Sequence, residues 1–343
     1  MFLIFKTKTF LIVLAVIVAL IGGSFVYLQF RPYTPPWSCT EPTDTVETPT
    51  PTESKYIRWA QFDLTNALLT QAYNYDVKSY GEENHLDWID LLSYSVAKNY
   101  GNVTKASDRK KVGQYIDECA ERLKKGEKIE DMAADLKYFP FYNEVYRAIL
   151  SEFVGENRQG DTVRYGLKVF SPVAKNWSYS HHNDFGSVRE YGFKRKHLGN
   201  DLMGSVGTPI IAVESGVIEA MGWNQYGGWR VGIRSADGKR YYYYAHLRKD
   251  HPFNNKFKEG DPVQAGDVIG YLGRSGYSTK EGVNNIETPH LHFGLQLIFD
   301  ESQKEGNNQI WIDVYHIVEL LKKNRSAVVL DSETKDWNRV EAI

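Results

Sequence analysis

His290 and His292 stand one residue apart in TPHLHFGLQL, residues 288–297. Read with a period of two, Leu291, Phe293, Leu295 and Leu297 share one side, and His290, His292, Gly294 and Gln296 share the other. That is the alternation of a strand with one buried face. Both imidazoles then point the same way, close enough to act on one object. A lone His–x–His on a wetted strand face would mean little, so partners elsewhere must carry the weight. His197 precedes Asp201 by four residues in KRKHLGNDLMG. On a helix the two would share a face, but Gly199 and the turn-like composition point to a loop or irregular strand. There Gly199 lets the backbone bend, and both side chains can converge on one ion. His246 ends YYYYAHL and by alternation shares a face with Tyr242 and Tyr244. Zinc prefers imidazole nitrogen and carboxylate oxygen, and a catalytic zinc site takes three protein ligands and keeps a position for water. Each residue taken singly is an ordinary surface or strand-end side chain. His181, His182, His251 and His316 are read as loop residues rather than ligands.

The elements that must position these residues change character near residue 160. Beyond it, short alternating segments separated by Gly turns predict a mainly antiparallel all-β sandwich or open barrel over 160–305. The segments are GTPIIAVESGVIEAMG, WRVGIRSADGKRYYYYAHL and DPVQAGDVIGYLG, followed by the HLHF strand. Asp237–Gly238 marks a hairpin. WIDVYHIVELLKKNR, within 306–343, reads as one amphipathic helix followed by a charged tail. Before the change, residues 55–157 predict a small all-α domain. In DRKKVGQYIDECAERLKKG, Val112, Tyr115, Ile116, Cys119, Ala120 and Leu123 recur at helical spacing, and Gly126 ends the run. WIDLLSYSVAKNYG and FYNEVYRAILSEFVG show the same period. Acidic pairs such as Glu82 and Glu83 fit a solvated surface there.

Residues 10–30 carry no charge and span roughly 30 Å as a helix. Lys6 and Lys8 precede them and an acidic flank follows, with Glu41, Asp44 and Glu47. The expectation is an uncleaved transmembrane anchor with residues 1–9 in the cytoplasm and the rest exported; a cleaved signal peptide is the rival reading. Residues 31–54, rich in Pro, Thr and acid, predict an extended tether. A net charge of −2 gives no argument for nucleic-acid binding. Two cysteines, Cys39 and Cys119, exclude a disulfide scaffold or a cysteine zinc site; Cys119 is read as a small buried apolar residue.

HLGND, GTPIIAVESGVIEAMG, YYYYAHL, a Gly-rich stretch and PHLHF follow one another over about residues 185–297. This order resembles the LytM/lysostaphin-type zinc metalloendopeptidases of bacterial cell walls, whose pattern runs H-x-G-x-D, a GTPV-like strand, a Tyr-rich strand ending in A-H-L, then H-x-H. The resemblance implies a LytM-like β-sandwich, Zn2+ held by His197, Asp201 and His292, and catalytic roles for His246 and His290 as unligated imidazoles. It also implies an oxyanion-stabilising tyrosine upstream of the first ligand, for which Tyr191 stands nearest, though a packing aromatic is an equal reading. The implied function is zinc-dependent hydrolysis of peptide cross-links or stem peptides of peptidoglycan, by an enzyme of the bacterial cytoplasmic membrane whose C-terminal domains face outward. A non-catalytic scaffold or activator is the alternative, yet such members lose ligands and this chain keeps all of them. A lipoyl-type carrier, suggested by KEGDPVQAGDVIGYLG, has no modifiable lysine at a matching hairpin tip. One departure is YSTKEGVNNIETP before the HLHF strand, an insertion expected to wall the cleft. The helical region 55–157 is a possible surface for a protein partner.

Overall fold

The computed structural model describes residues 62–159, 162–190, 194–304 and 309–340. The expected anchor, the tether, Cys39 and Tyr191 lie outside the described residues. Among the described residues no helix is long and apolar enough to cross a membrane.

The helical layer comprises α1 (Asn66–Ser79), α2 (Trp88–Lys98), α3 (Ala106–Lys124), α4 (Ile129–Ala133) and α5 (Phe139–Leu150). Helix α2 is its centre, buried at Trp88, Ile89, Leu91, Leu92 and Val96 and packed against α3 and α5. It starts where Asp87 accepts hydrogen bonds from the backbone of Ile89 (2.7 Å) and Asp90 (3.3 Å), capping donors the helix cannot satisfy itself. Helix α3 buries only the stripe Val112, Ile116, Cys119 and Ala120; Cys119 is a free, buried thiol.

The β region begins with the hairpin β1 (Val154–Gln159) and β2 (Thr162–Leu167). Next come β3 (Ser180–His181), β4 (Val188–Glu190), β5 (Lys194–Lys196), β6 (Asn200–Met203), β7 (Pro209–Ile211), β8 (Gly216–Asn224), β9 (Gly228–Ser235) and β10 (Arg240–Ala245). The last strands of the sheet region are β11 (Pro262–Val263), β12 (Val268–Tyr271), β13 (His290–Leu297) and β14 (Ile310–Ile312). The main sheet runs β11-β8-β9-β10-β13-β6-β3, all neighbours antiparallel. Strand β13 has two partners on one edge: β6 takes His290–Phe293 and β14 takes Leu295–Leu297. The turn at Gly238, φ +75°, joins β9 to β10, as the Asp–Gly pair predicts.

Three expectations need correction. The C-terminal WIDVYHIVELLKKNR is not one helix: Ile310–Ile312 is strand β14, and only Tyr315–Leu321 forms helix α6. Pairing with β13 buries Ile310 and Ile312, which decides a run too short for periodicity to settle. The charged tail forms a second hairpin, β15 (Val328–Leu330) with β16 (Trp337–Arg339). Strand β13 does not face water on its histidine side. Gln296 is 2 % exposed, its amide donating to the Gln303 carbonyl at 2.6 Å, and Trp311 lies over Gly294 so closely that a Cβ there would meet its ring at 2.8 Å.

Helices and sheet meet through buried polar contacts within one unit, Lys55–Ile343. Asp76 of α1 accepts from the Tyr165 hydroxyl of β2 at 2.7 Å and from the Trp88 backbone at 3.0 Å. Arg240, fully buried at the start of β10, forks onto Glu214 (2.8 and 3.0 Å) and donates to the Ala148 carbonyl of α5 at 2.9 Å.

Candidate metal centre and its groove

Register explains how residues distant in sequence converge. Strand β13 lies between β10 and β6, and His292 is the direct partner of Asp201 on one side and of Ala245 on the other. Directly opposed residues of an antiparallel pair bring their side chains together on one face. His197, just before β6, is held by the loop ahead of it: its N–H donates to the Ser187 carbonyl at 2.9 Å, and its own carbonyl accepts from Gly186 at 2.7 Å. Gly199 makes the approach possible, because a Cβ there would stand 2.6 Å from the Phe293 carbonyl and 2.8 Å from the His292 ring.

Three donor atoms meet. His197 Nε2 lies 2.7 Å from His292 Nδ1 and 3.0 Å from Asp201 Oδ1, and His292 Nδ1 lies 3.3 Å from that oxygen. All three side chains are largely buried. Donors about 2.0 Å from one tetrahedral zinc would lie about 3.3 Å apart, so this set fits a zinc ion in chemistry and in spacing.

His246 and His290 complete the cluster, their ring centroids 4.9 Å apart, with His246 5.9 Å from His292. The expectation that His246 shares a face with Tyr242 and Tyr244 is overturned. Those tyrosines point into the core at 1 % and 0 % exposed. Strand β10 ends at Ala245, and His246 takes φ +64°, a left-handed conformation uncommon outside glycine and often stored at functional sites. That twist swings its ring toward His290. Its Nδ1 lies 2.9 Å from the Ser275 carbonyl, and His290 Nδ1 lies 2.8 Å from the Thr288 carbonyl. A carbonyl only accepts, so in each ring Nδ1 carries the proton and the neutral ring keeps a lone pair on Nε2. Burial, with His290 and His292 nearby, holds His246 well below the usual histidine range.

Two residues without a motif complete the arrangement. Asp184 places Oδ2 3.3 Å and its backbone carbonyl 3.2 Å from His197 Nδ1, while Oδ1 accepts from the Asp201 backbone at 3.2 Å. Arg189 bridges Asp184 and Asp201 Oδ2, the latter at 2.7 Å. Asp201 thus divides its oxygens, Oδ1 toward the imidazoles and Oδ2 toward the guanidinium. Burial lowers the His197 pKa, but Asp184 and Asp201 more than reverse it, raising it to about 9. Burial opposes ionisation of Asp201, yet hydrogen bonds from His197 and His292 hold it far below the carboxylate range. Burial is the main cause of the lowered His292 pKa.

The remaining histidines stand outside this set, though not all in loops as expected: His181 ends strand β3 and His316 lies in helix α6. His181 meets Glu319 at 3.0 Å and His251 meets Asp336 at 2.7 Å. The insertion reaches the site through its first residue, Tyr277, whose ring lies 5.7 Å from that of His246. Beside His292 opens a groove of about 650 Å³ lined by Tyr241, Tyr243, Gln296 and Trp311.

A sequence profile of peptidase family M23 matches residues 195–307. The chain is 37% identical over 147 residues to an L-Ala–D-Glu endopeptidase of Bacillus subtilis, covering 43% of either chain. It is 43% identical over 98 residues to the glycyl-glycine endopeptidase ALE-1 of Staphylococcus capitis, 28% of this chain and 24% of that one. It therefore spans less than half the length of these curated relatives. A crystal structure of a putative glycyl-glycine endopeptidase from Ruminococcus gnavus superposes with a TM-score of 0.52 at 22% identity, covering 79% of this chain and 93% of that one; it shares the fold. Over residues 195–307, then, the chain is similar to the peptidases of family M23.

Proposed function

We propose that this protein is a zinc-dependent endopeptidase that hydrolyses peptide cross-links or stem peptides of bacterial peptidoglycan. The observation that carries the reading is the meeting of His197, Asp201 and His292 donors beside two further imidazoles at the head of a groove. The relatives named above are an L-Ala–D-Glu endopeptidase and a glycyl-glycine endopeptidase, which supports the reading. His197, Asp201 and His292 would hold the ion. When bound, zinc supplies Lewis-acid polarisation of the scissile carbonyl and a lowered pKa for an attacking water.

The chain's own residues do the rest. His246 and His290, each with Nδ1–H fixed on a carbonyl, present Nε2 as a base. Such a nitrogen can take a proton from the attacking water and return it to the leaving amine. In its protonated form it can donate to the oxygen on which charge develops. Ser275 and Thr288 lock both rings in one tautomer, so no reorientation is needed before proton transfer. Tyr243, its ring 5.9 Å from that of His292, and Trp311 offer flat walls against which an extended peptide can lie.

The uncharged run at 10–30 and the Pro/Thr-rich segment at 31–54 support a further part of the reading: an enzyme tethered to the bacterial membrane with its peptidase domain outside. The test is digestion of purified muropeptides by the zinc-loaded chain, with products read by mass spectrometry. Cleavage that chelation abolishes and zinc restores is the expected result; intact muropeptides at full zinc loading would sink the reading.

A further inference from the structure

The groove is walled by cations. Arg195, Lys196, Arg230 and Lys304 line it, and Glu219 is the only acid on its wall among the described residues. Glu219 is already engaged, with Arg234 at 2.7 Å and with Lys304. Arg195 is fixed in place by the Tyr277 hydroxyl at 2.6 Å and by the rings of Tyr226 and Tyr277. Its Nε is buried without a hydrogen-bond partner among the described residues, and so is Nη1 of Arg230. Buried guanidinium nitrogens are normally paired, because water no longer serves them.

Arg230 is also well placed relative to the metal ligands. Val231 pairs with Tyr244, so Arg230, one residue back, sits beside Ala245, whose partner across β13 is His292. Two strand spacings separate Arg230 from His292, about 10 Å between backbones. An arginine side chain covers most of that distance, and an extended peptide advances about 3.3 Å per residue. An anion held by Arg230 therefore belongs to a residue at or next to the scissile bond.

From this we infer that the groove selects peptides carrying a free carboxylate beside the bond to be cut, with Arg230 receiving the carboxylate and Arg195 and Lys196 supplying the surrounding positive field. A guanidinium matches a carboxylate in two parallel hydrogen bonds. A stem peptide with a γ-linked glutamate offers such a group; a glycine bridge offers none. The inference rests on the endopeptidase reading and narrows its substrate.

The test compares L-alanyl-γ-D-glutamyl-L-lysine with the same peptide bearing a carboxamide in place of the glutamyl carboxylate, and with pentaglycine. Binding to the full chain is measured by calorimetry and cleavage by chromatography. The acid form should bind about tenfold or more tightly than the amide, as a charge-assisted pair predicts. Arg230→Gln should erase that ratio and Arg230→Lys should keep part of it. Equal binding of acid and amide by the unaltered chain, or preference for pentaglycine, overturns the inference. So does a ratio that survives in an Arg230→Gln chain melting like the parent. If Arg230→Gln does not fold, the parent ratio and the Arg230→Lys ratio decide. Acid-selective binding with no cleavage of any peptide supports the carboxylate site and overturns the endopeptidase reading instead.

Discussion

Asp184 Oδ2 stands 3.3 Å from His197 Nδ1, on the opposite edge of the imidazole from the Nε2 that meets His292. A ligating histidine whose second nitrogen is held by a carboxylate is fixed in tautomer and orientation. Asp184→Asn should therefore weaken zinc affinity by about 10–100-fold with little change in the far-ultraviolet spectrum. Titration against a competing chelator reads the affinity; an unchanged value would remove Asp184 from the site.

Ligand and base should separate on substitution. His292→Ala removes one of three donors, so both bound zinc and cleavage should be lost. His246→Ala and His290→Ala should keep the metal and lose about 10²–10⁴-fold in turnover. Metal analysis beside a turnover assay distinguishes the outcomes, and a metal-free His290→Ala chain would contradict the division of roles.

Gly199 admits no side chain. A Cβ would lie 2.6 Å from the Phe293 carbonyl and 2.8 Å from two atoms of the His292 ring. Gly199→Ala should cost about 1–3 kcal/mol through forced displacement and weaken zinc binding at the same time. Thermal melts with and without the metal check both effects. Unchanged affinity would show that the ligand ring yields at no cost.

Glu214 and Arg240 form a buried, forked ion pair, with the Tyr242 hydroxyl also on Glu214 at 2.5 Å. Removing one partner leaves the other charge stranded, so Glu214→Ala or Arg240→Ala should destabilise by about 3–5 kcal/mol. Denaturant melts measure it. A loss below about 1 kcal/mol would mean that water reaches the pair.

His181, paired in register with Leu202 next to Asp201 but outside the ligand set, predicts a pH dependence of its own. Burial lowers its pKa from 6.5, partly countered by Glu319, and its side chain is 1% exposed. The unfolded chain therefore binds this proton more readily than the folded one. Its contribution is complete above pH 6.5 and shrinks as pH falls from there through the depressed folded value. His181→Gln should flatten the fall in melting temperature between about pH 7 and 5. Parallel curves for parent and variant would show that the site contributes nothing.

Much of the candidate metal centre was legible because its parts obey short-range rules. The period of two in HLHFGLQL sets both imidazoles on one face, and β13 keeps that arrangement. Asp184 and Arg189 were not legible, since their loop meets His197 only through tertiary packing and no spacing within DFGSVRE marks either residue as a partner. His246 misled for a physical reason: alternation assumes that a strand continues, and here the chain turns left-handed one residue after the last pair. Strand β14 misled because three apolar residues take their conformation from whatever edge they find, and the free edge of β13 was not visible from within the segment.

Arg240 and His246 sit at the two ends of one short strand run, and the Arg240 end is bolted to the Ala148 carbonyl of a helix. A chain trimmed to its β portion would expose a guanidinium built for a dry socket at the root of the strand that aims a candidate base. The helices thus act as masonry for the β half rather than as baggage, and shortened versions of this protein should be cut ahead of α1, not behind α5.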